Sequence, residues 1–176
     1  GQAQDAVENV KMYFWLGDPS LTLDLGLPPP EPVPIGWCNT QHPQALVDRA
    51  DVPAVDVFGQ VWVEGLTDQP GQAPFLFVQV GYGPAGSNPA PAAADALHPE
   101  WTWSGAYFNL DVGNNDEYMA RLLVHEPGEY SYAFRVSGDG GRTFTYCDID
   151  GSDNGLAPDQ RGRATIDPRP TMTATS

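Results

Sequence analysis

Lysine is nearly absent from this chain. Lys11 is the only one, and 8 Lys and Arg stand against 23 Asp and Glu, for a net charge of −15. A surface of that sign repels nucleic-acid phosphates and anionic lipid, which excludes both as partners. Plain solubility accounts for the charge, and so does cation binding or a calcium-rich medium. Cysteine is scarce too: Cys38 and Cys147 are the 2 present. Neither has a CxxC neighbour or a histidine at metal-ligand spacing, so zinc and thioredoxin-type chemistry are not expected. The 3 histidines, His42, His98 and His125, are scattered. No Gly-x-Ser-x-Gly elbow, His-Glu-x-x-His pair or phosphate-cradling glycine loop occurs, so no catalytic residue is assigned and no enzyme is expected. Carboxylates are abundant, but abundance alone does not make a glycosidase pair. No amphipathic helix is expected, because Pro89, Pro91 and Pro99 box in the one candidate turn, Ala90 to Leu97. No run of about 20 apolar residues reads as a membrane span. No basic n-region opens the chain either. Its Gly-Gln-Ala-Gln start fits a mature exported protein whose signal has been removed, and a trimmed piece of protein would read the same way.

What is present is aromatic and strand-like. The chain carries 5 Trp, 7 Tyr and 7 Phe, and its 19 Gly and 18 Pro punctuate alternating apolar runs. The densest stretch is Pro127 to Gly155. Tyr130, Tyr132, Phe134 and Val136 alternate with Ser131, Ala133, Arg135 and Ser137, the period of two that a strand requires. Gly138-Asp-Gly-Gly141 supplies hairpin glycines, and Phe144 and Tyr146 resume the alternation. Cys147 and the acidic run Asp148, Asp150 and Asp153 close the unit. Pro-Gly-x-Tyr at 127–130 matches the entry to strand F of immunoglobulin-like domains, where the tyrosine hydroxyl bonds back to the preceding loop.

The rest of the chain follows the same pattern. Residues 8–16 form a first strand candidate with Val10, Met12, Phe14 and Leu16 on one face and Trp15 on the other, so it calls for cover on both sides. Leu21 to Leu27 alternates again, and Pro28 to Pro34 is a stiff polyproline-type linker. Further strands are expected at Val55–Glu64, Pro74–Tyr82, Trp101–Leu110, Glu117–Val124, Gly128–Ser137, Thr143–Cys147 and Arg161–Ile166. The expected fold is all-β, an immunoglobulin-like β-sandwich of about seven to nine antiparallel strands with an N-terminal strand extension. The expected organisation is 1–34 as strand segment and proline-rich linker, 35–167 as sandwich, and 168–176 as a polar Thr/Ser tail. A Cys38–Cys147 disulfide is favoured over two buried thiols, and its loop of about 100 residues is worth on the order of 4–5 kcal/mol in the chain-entropy model.

Several segments together resemble accessory β-sandwich modules of large secreted bacterial proteins. They are Gly36-Trp-Cys-Asn39, Phe58-Gly-Gln-Val-Trp-Val63, Thr67-Asp-Gln-Pro-Gly71, Gly81-Tyr-Gly-Pro84, Trp101-Thr-Trp103, Val112-Gly-Asn-Asn-Asp-Glu-Tyr118, the Pro127–Gly155 block and Pro158-Asp-Gln160. The resemblance covers roughly 36 to 166 and is specific as a set. It implies an exported protein and a sandwich fold, and it implies no chemistry.

Three groups of side chains are candidate sites. Asp148, Asp150, Asp153 and Asn154 offer hard oxygens on a glycine-hinged loop, which suits Ca²⁺; Asx turns that bond their own backbone are the rival reading. Asn114-Asn-Asp-Glu117 offers cation ligands as well, and a tight turn is the favoured reading there. Trp62, Trp101, Trp103 and Tyr107 would make a sugar platform if exposed and sandwich core if buried. Two functions follow. One is a non-catalytic subunit of an extracellular fibre or surface layer. It would assemble with copies of itself by strand addition of Val10, Met12, Phe14, Trp15 and Leu16 to a neighbouring sandwich. The alternative is an extracellular carbohydrate-binding or adhesive module with structural calcium, whose partner is a glycan.

Overall fold

The computed structural model describes residues 31–53, 55–90, 100–152, 156 and 159–169. The chain divides into two compact units at Pro30, and the described residues all belong to the second, Glu31–Ser176. Val10, Met12, Phe14, Trp15 and Leu16, the turn at 91–97, Asp153, Asn154 and the tail from 170 onward lie outside the described residues.

Ten strands are described, and no helix is. They are β1 (Trp37–His42), β2 (Ala45–Arg49), β3 (Asp56–Trp62), β4 (Phe77–Pro84), β5 (Thr102–Gly105), β6 (Tyr107–Val112), β7 (Asn115–Arg121), β8 (Gly128–Ser137), β9 (Thr145–Cys147) and β10 (Gly162–Asp167). One sheet runs β1-β3-β7-β6, and the other runs β2-β10-β8-β4-β5 with β9 also paired to β8. The molecule is therefore a β-sandwich, with more strands than the sequence pattern suggests. One pair is also parallel, β10 beside β2, where an all-antiparallel fold was expected.

Alternation in the sequence becomes two faces in space. Val57 and Val61 on β3, Val80 on β4 and Tyr132, Phe134 and Val136 on β8 meet in the core, each at most 2% exposed. The expected single strand Trp101–Leu110 does not exist. The chain breaks at Ala106, whose N–H bonds to the Val78 carbonyl at 2.9 Å. Thr102–Gly105 pairs with β4 in one sheet and Tyr107–Val112 pairs with β7 in the other. Such a switch places Trp103 and Tyr107 on different sheets despite their even spacing.

Two features tie the sheets together. The Cys38–Cys147 disulfide joins β1 of one sheet to β9 of the other, with Cα atoms 5.2 Å apart. Beside it, Thr40 Oγ1 donates to the Cys147 carbonyl at 2.8 Å and accepts the Phe134 N–H at 3.0 Å. The tyrosine corner forms as expected, with the Tyr130 hydroxyl donating to the Glu126 carbonyl at 3.0 Å.

Candidate functional site

The site grows from the register of β1 on β3. Cys38 and Thr40 point into the core, so their neighbour Trp37 must point out. Trp37 lies directly opposite Trp62 in the ladder, and Val57 and Val61 give β3 the same phase. Both indoles therefore rise on one outer face, and both are half-buried. The next strand over supplies amides. The β6–β7 hairpin pairs Val112 with Asn115 around Gly113-Asn114, with Gly113 at φ 64°. Thr67 fixes that turn by donating from Oγ1 to the Asn114 carbonyl at 2.7 Å. Asn115 donates to Gln60 Oε1 at 3.0 Å. Trp37, Trp62, Asn114 and Asn115 line an open cleft of ≈ 310 Å³.

Backbone lies close beneath the two rings. A Cβ on Gly36 would stand 2.5 Å from the Trp62 ring, and one on Gly151 would stand 2.7 Å from the Trp37 ring, so only glycine fits at either place. Gly151 also accepts the Trp37 Nε1–H at its carbonyl, at 2.6 Å. That fixes the indole edge, and Trp37 lines the cleft.

The acidic loop is what holds Gly151 in place. Asp148 Oδ1 accepts the Gly151 N–H at 2.5 Å, and Asp150 Oδ1 accepts the Ser152 N–H at 2.9 Å. Asp150 Oδ2 accepts from Gln160 Nε2 at 2.6 Å, which ties the loop to the approach to β10. Burial pushes the Asp148 carboxyl up, against the opposing pull of the Gly151 N–H. Hydrogen bonds from the Ser152 hydroxyl and then its N–H hold Asp150 below the usual carboxylate range. Among the described residues no three His, Cys, Asp or Glu side chains gather as metal ligands. Asp148 and Asp150 each turn one oxygen to a backbone N–H, and that local bonding props an indole; Asp153 and Asn154, the other two expected cation ligands, lie outside the described residues.

The expected four-aromatic platform is not assembled. Trp101 is only 5% exposed, donates from Nε1 to Ser87 Oγ at 2.8 Å, and stacks on Trp103 at 5.5 Å and 23°. Trp103 lies beneath the Arg135 guanidinium, 4.0 Å from its ring centre. Trp103 lies on β5 of the six-stranded sheet, and Trp101 just precedes that strand. Trp62 and Tyr107 belong to the four-stranded sheet, and Tyr107 is 74% exposed. The tight turn is Gly113-Asn114, while Asn115, Asp116 and Glu117 of the expected loop already belong to β7; Asn114 and Asn115 face the cleft. Sequence reading passed over Trp37. Its signal was the neighbouring cysteine: a buried Cys38 forces Trp37 outward.

Among the described residues that line the cleft, none is ionisable. Flat indole faces cover apolar ligand surface, and carboxamides both donate and accept hydrogen bonds. The cleft is thus suited to a neutral ligand with an apolar face and hydrogen-bonding edges.

No family model matches the chain. It is similar to segments of three amylopullulanases. It is 35% identical over 123 residues to that of Thermoanaerobacter thermohydrosulfuricus, covering 64% of this chain and 8% of the relative. It is 31% identical over 126 residues to that of Thermoanaerobacterium saccharolyticum, covering 65% and 10%, and 29% identical over 119 residues to that of Thermoanaerobacterium thermosulfurigenes, covering 62% and 6%. The chain therefore spans a tenth or less of the length of these curated relatives, and it resembles a segment of each rather than the whole protein.

Proposed function

We propose that this chain is a non-catalytic, extracellular carbohydrate-binding module for α-glucan, and that the Trp37–Trp62 cleft is where the sugar rests. The observation that carries the reading is the pairing of two half-exposed indoles with two carboxamides in one open cleft, where no described lining residue is ionisable. A glucose ring has a face of C–H bonds and a rim of hydroxyls. Indoles take the face, and amides take the rim. Neutral sugar also escapes the repulsion that a net charge of −15 imposes on anionic ligands. The similarity to amylopullulanases, enzymes named for amylose and pullulan, supports α-linked glucan as the polymer. The disulfide supports an oxidising, extracellular setting. The fibre-subunit reading depends on residues 8–16, which lie outside the described residues, and no observation among the described residues favours it.

The test is affinity electrophoresis through gels containing amylopectin or pullulan, backed by calorimetry with maltoheptaose. The protein should be retarded and should bind maltoheptaose, with cello-oligosaccharide as the β-linked control. Trp62→Ala and Trp37→Ala should each weaken binding about tenfold or more, which is about 1.4 kcal/mol, while circular dichroism stays unchanged. Free migration of the native protein, or native affinity in both variants, would sink the reading.

A further inference from the structure

The outer face of the four-stranded sheet continues past the cleft. Phe58 lies on β3 four residues before Trp62 and on the same face, about 13 Å away along the strand. Met119 pairs with Phe58, and Tyr107 pairs with Met119. Phe58 and Met119 are half-buried, while Tyr107 stands 74% exposed. An aromatic that open needs a reason when it sits in a row with two seated apolar neighbours.

Between the two rows the face is mostly polar and tied down, with exposed Leu110 opposite Glu117 at its β6 end. The Gln60 N–H bonds to Asn39 Oδ1 at 3.0 Å, and Gln60 Oε1 takes the Asn115 amide at 3.0 Å. One strand over, Asn109 donates to Glu117 Oε1 at 2.7 Å. Each of these side chains is bonded to a neighbour on the same face. The far end is closed by the Arg121–Asp56 ion pair at 2.6 Å. The order along the sheet is aromatic row, mixed polar row, aromatic row, ion pair.

We infer that Tyr107, backed by Met119 and Phe58, is a second contact point for the same glucan chain, so that the face selects for chain length. The inference rests on the glucan-binding reading above. A short saccharide seated at Trp37 and Trp62 ends before it reaches Tyr107. A longer one crosses the mixed polar row and lays a ring on the tyrosine. The two contacts are then linked within one ligand, and a second contact made within one ligand raises affinity without a second association event.

The experiment compares maltotriose with maltoheptaose by calorimetry on the native protein and on Tyr107→Ala, Tyr107→Phe and Trp62→Ala. Tyr107→Ala is expected to lose about tenfold for maltoheptaose and to keep native affinity for maltotriose. Tyr107→Phe keeps the ring and should bind both like the native protein. Trp62→Ala should lose both ligands. The inference is overturned if Tyr107→Ala binds maltoheptaose as tightly as the native protein, or loses affinity for both lengths equally, even where Trp62→Ala behaves as expected. If the native protein binds neither saccharide, the glucan-binding reading fails and this inference fails with it.

Discussion

At the scale of single residues, Asp139 shows how much one side chain can organise. It sits just after β8, and it is 8% exposed. Its Oδ1 accepts the Arg142 N–H at 2.9 Å, the Thr143 N–H at 3.0 Å and the Ser137 hydroxyl at 2.7 Å, and Oδ2 accepts the Thr143 hydroxyl at 2.7 Å. The turn it spans passes through Gly140 and Gly141 at φ 75° and 88°. These donors, led by the Thr143 N–H, hold the carboxyl far below the usual carboxylate range. Because the folded value is depressed, the stabilisation is present above the unfolded carboxylate pKa and is lost as pH falls through the folded value. Asp139→Asn should therefore lower the melting temperature near neutral pH, because the amide cannot accept these four bonds as the carboxylate does. The gap between variant and native protein should stay full from about pH 7 to pH 5 and shrink below about pH 4. Thermal melts across that range check it, and a gap that does not depend on pH would show that the carboxylate charge is not what matters. Asp116 and Asp148, whose carboxyls burial pushes up, contribute with the opposite sign. Their contributions cancel in the difference between the two proteins.

At the scale of elements, the glycines of β4 and the tryptophans beside them form one device. Trp103 lies over Gly81 and Trp101 over Gly83, so closely that a Cβ on either glycine would enter the ring above it. The two indoles thus replace the missing side chains on the outer face of the six-stranded sheet. Gly81→Val should overpack this contact and cost about 1–3 kcal/mol, read as a lower urea midpoint with a red-shifted tryptophan emission. Glucan affinity should not change, because Trp37 and Trp62 belong to the other sheet. A variant as stable as the native protein would mean that the indole is not seated on the glycine. The same device explains what was legible in the sequence. Strands β3 and β8 announced themselves by clean alternation of core residues, β4 by its long apolar run, and the tyrosine corner by Pro-Gly-x-Tyr at 127–130. Strand β1 did not, because its outward positions are Trp37, Asn39 and Gln41, and Cys38 and Thr40 face inward. Strand β2 buries only Leu46 and owes its place to the parallel pairing with β10, a contact no local pattern encodes. The aromatic platform was misassembled because alternation runs unbroken through Ala106, where the chain changes sheets. In the acidic loop the sequence displays the oxygens of Asp148 and Asp150, but not the Gly151 and Ser152 N–H groups that engage one oxygen of each.

At the scale of the whole molecule, fold and candidate site meet at the disulfide. Cys38 and Cys147 are 109 residues apart in sequence and belong to different sheets. Trp37 precedes the first cysteine, and the loop that holds its indole follows the second. Thr40 N–H bonds to the Asp148 carbonyl at 2.5 Å beside the crosslink, so β1 and the acidic loop share one anchor. Removing the bridge acts first on the unfolded chain. A crosslink closing a loop of this length restricts it by about 4–5 kcal/mol in the chain-entropy model. The double variant Cys38→Ala with Cys147→Ala should therefore unfold at a clearly lower urea concentration. The second effect is local. Once the sheets are no longer joined at that corner, the Gly151 carbonyl is less firmly fixed against the Trp37 indole. Maltotriose, which would rest on the Trp37–Trp62 end alone, should then bind more weakly even under conditions where the variant is fully folded. The extra affinity that maltoheptaose gains from Tyr107 should survive, because β6 and β7 carry no part of the crosslink. Calorimetry with both saccharides at low temperature separates the two effects. If maltotriose binds the folded double variant as tightly as the native protein, the disulfide serves the fold alone, and the acidic loop holds the tryptophan without it.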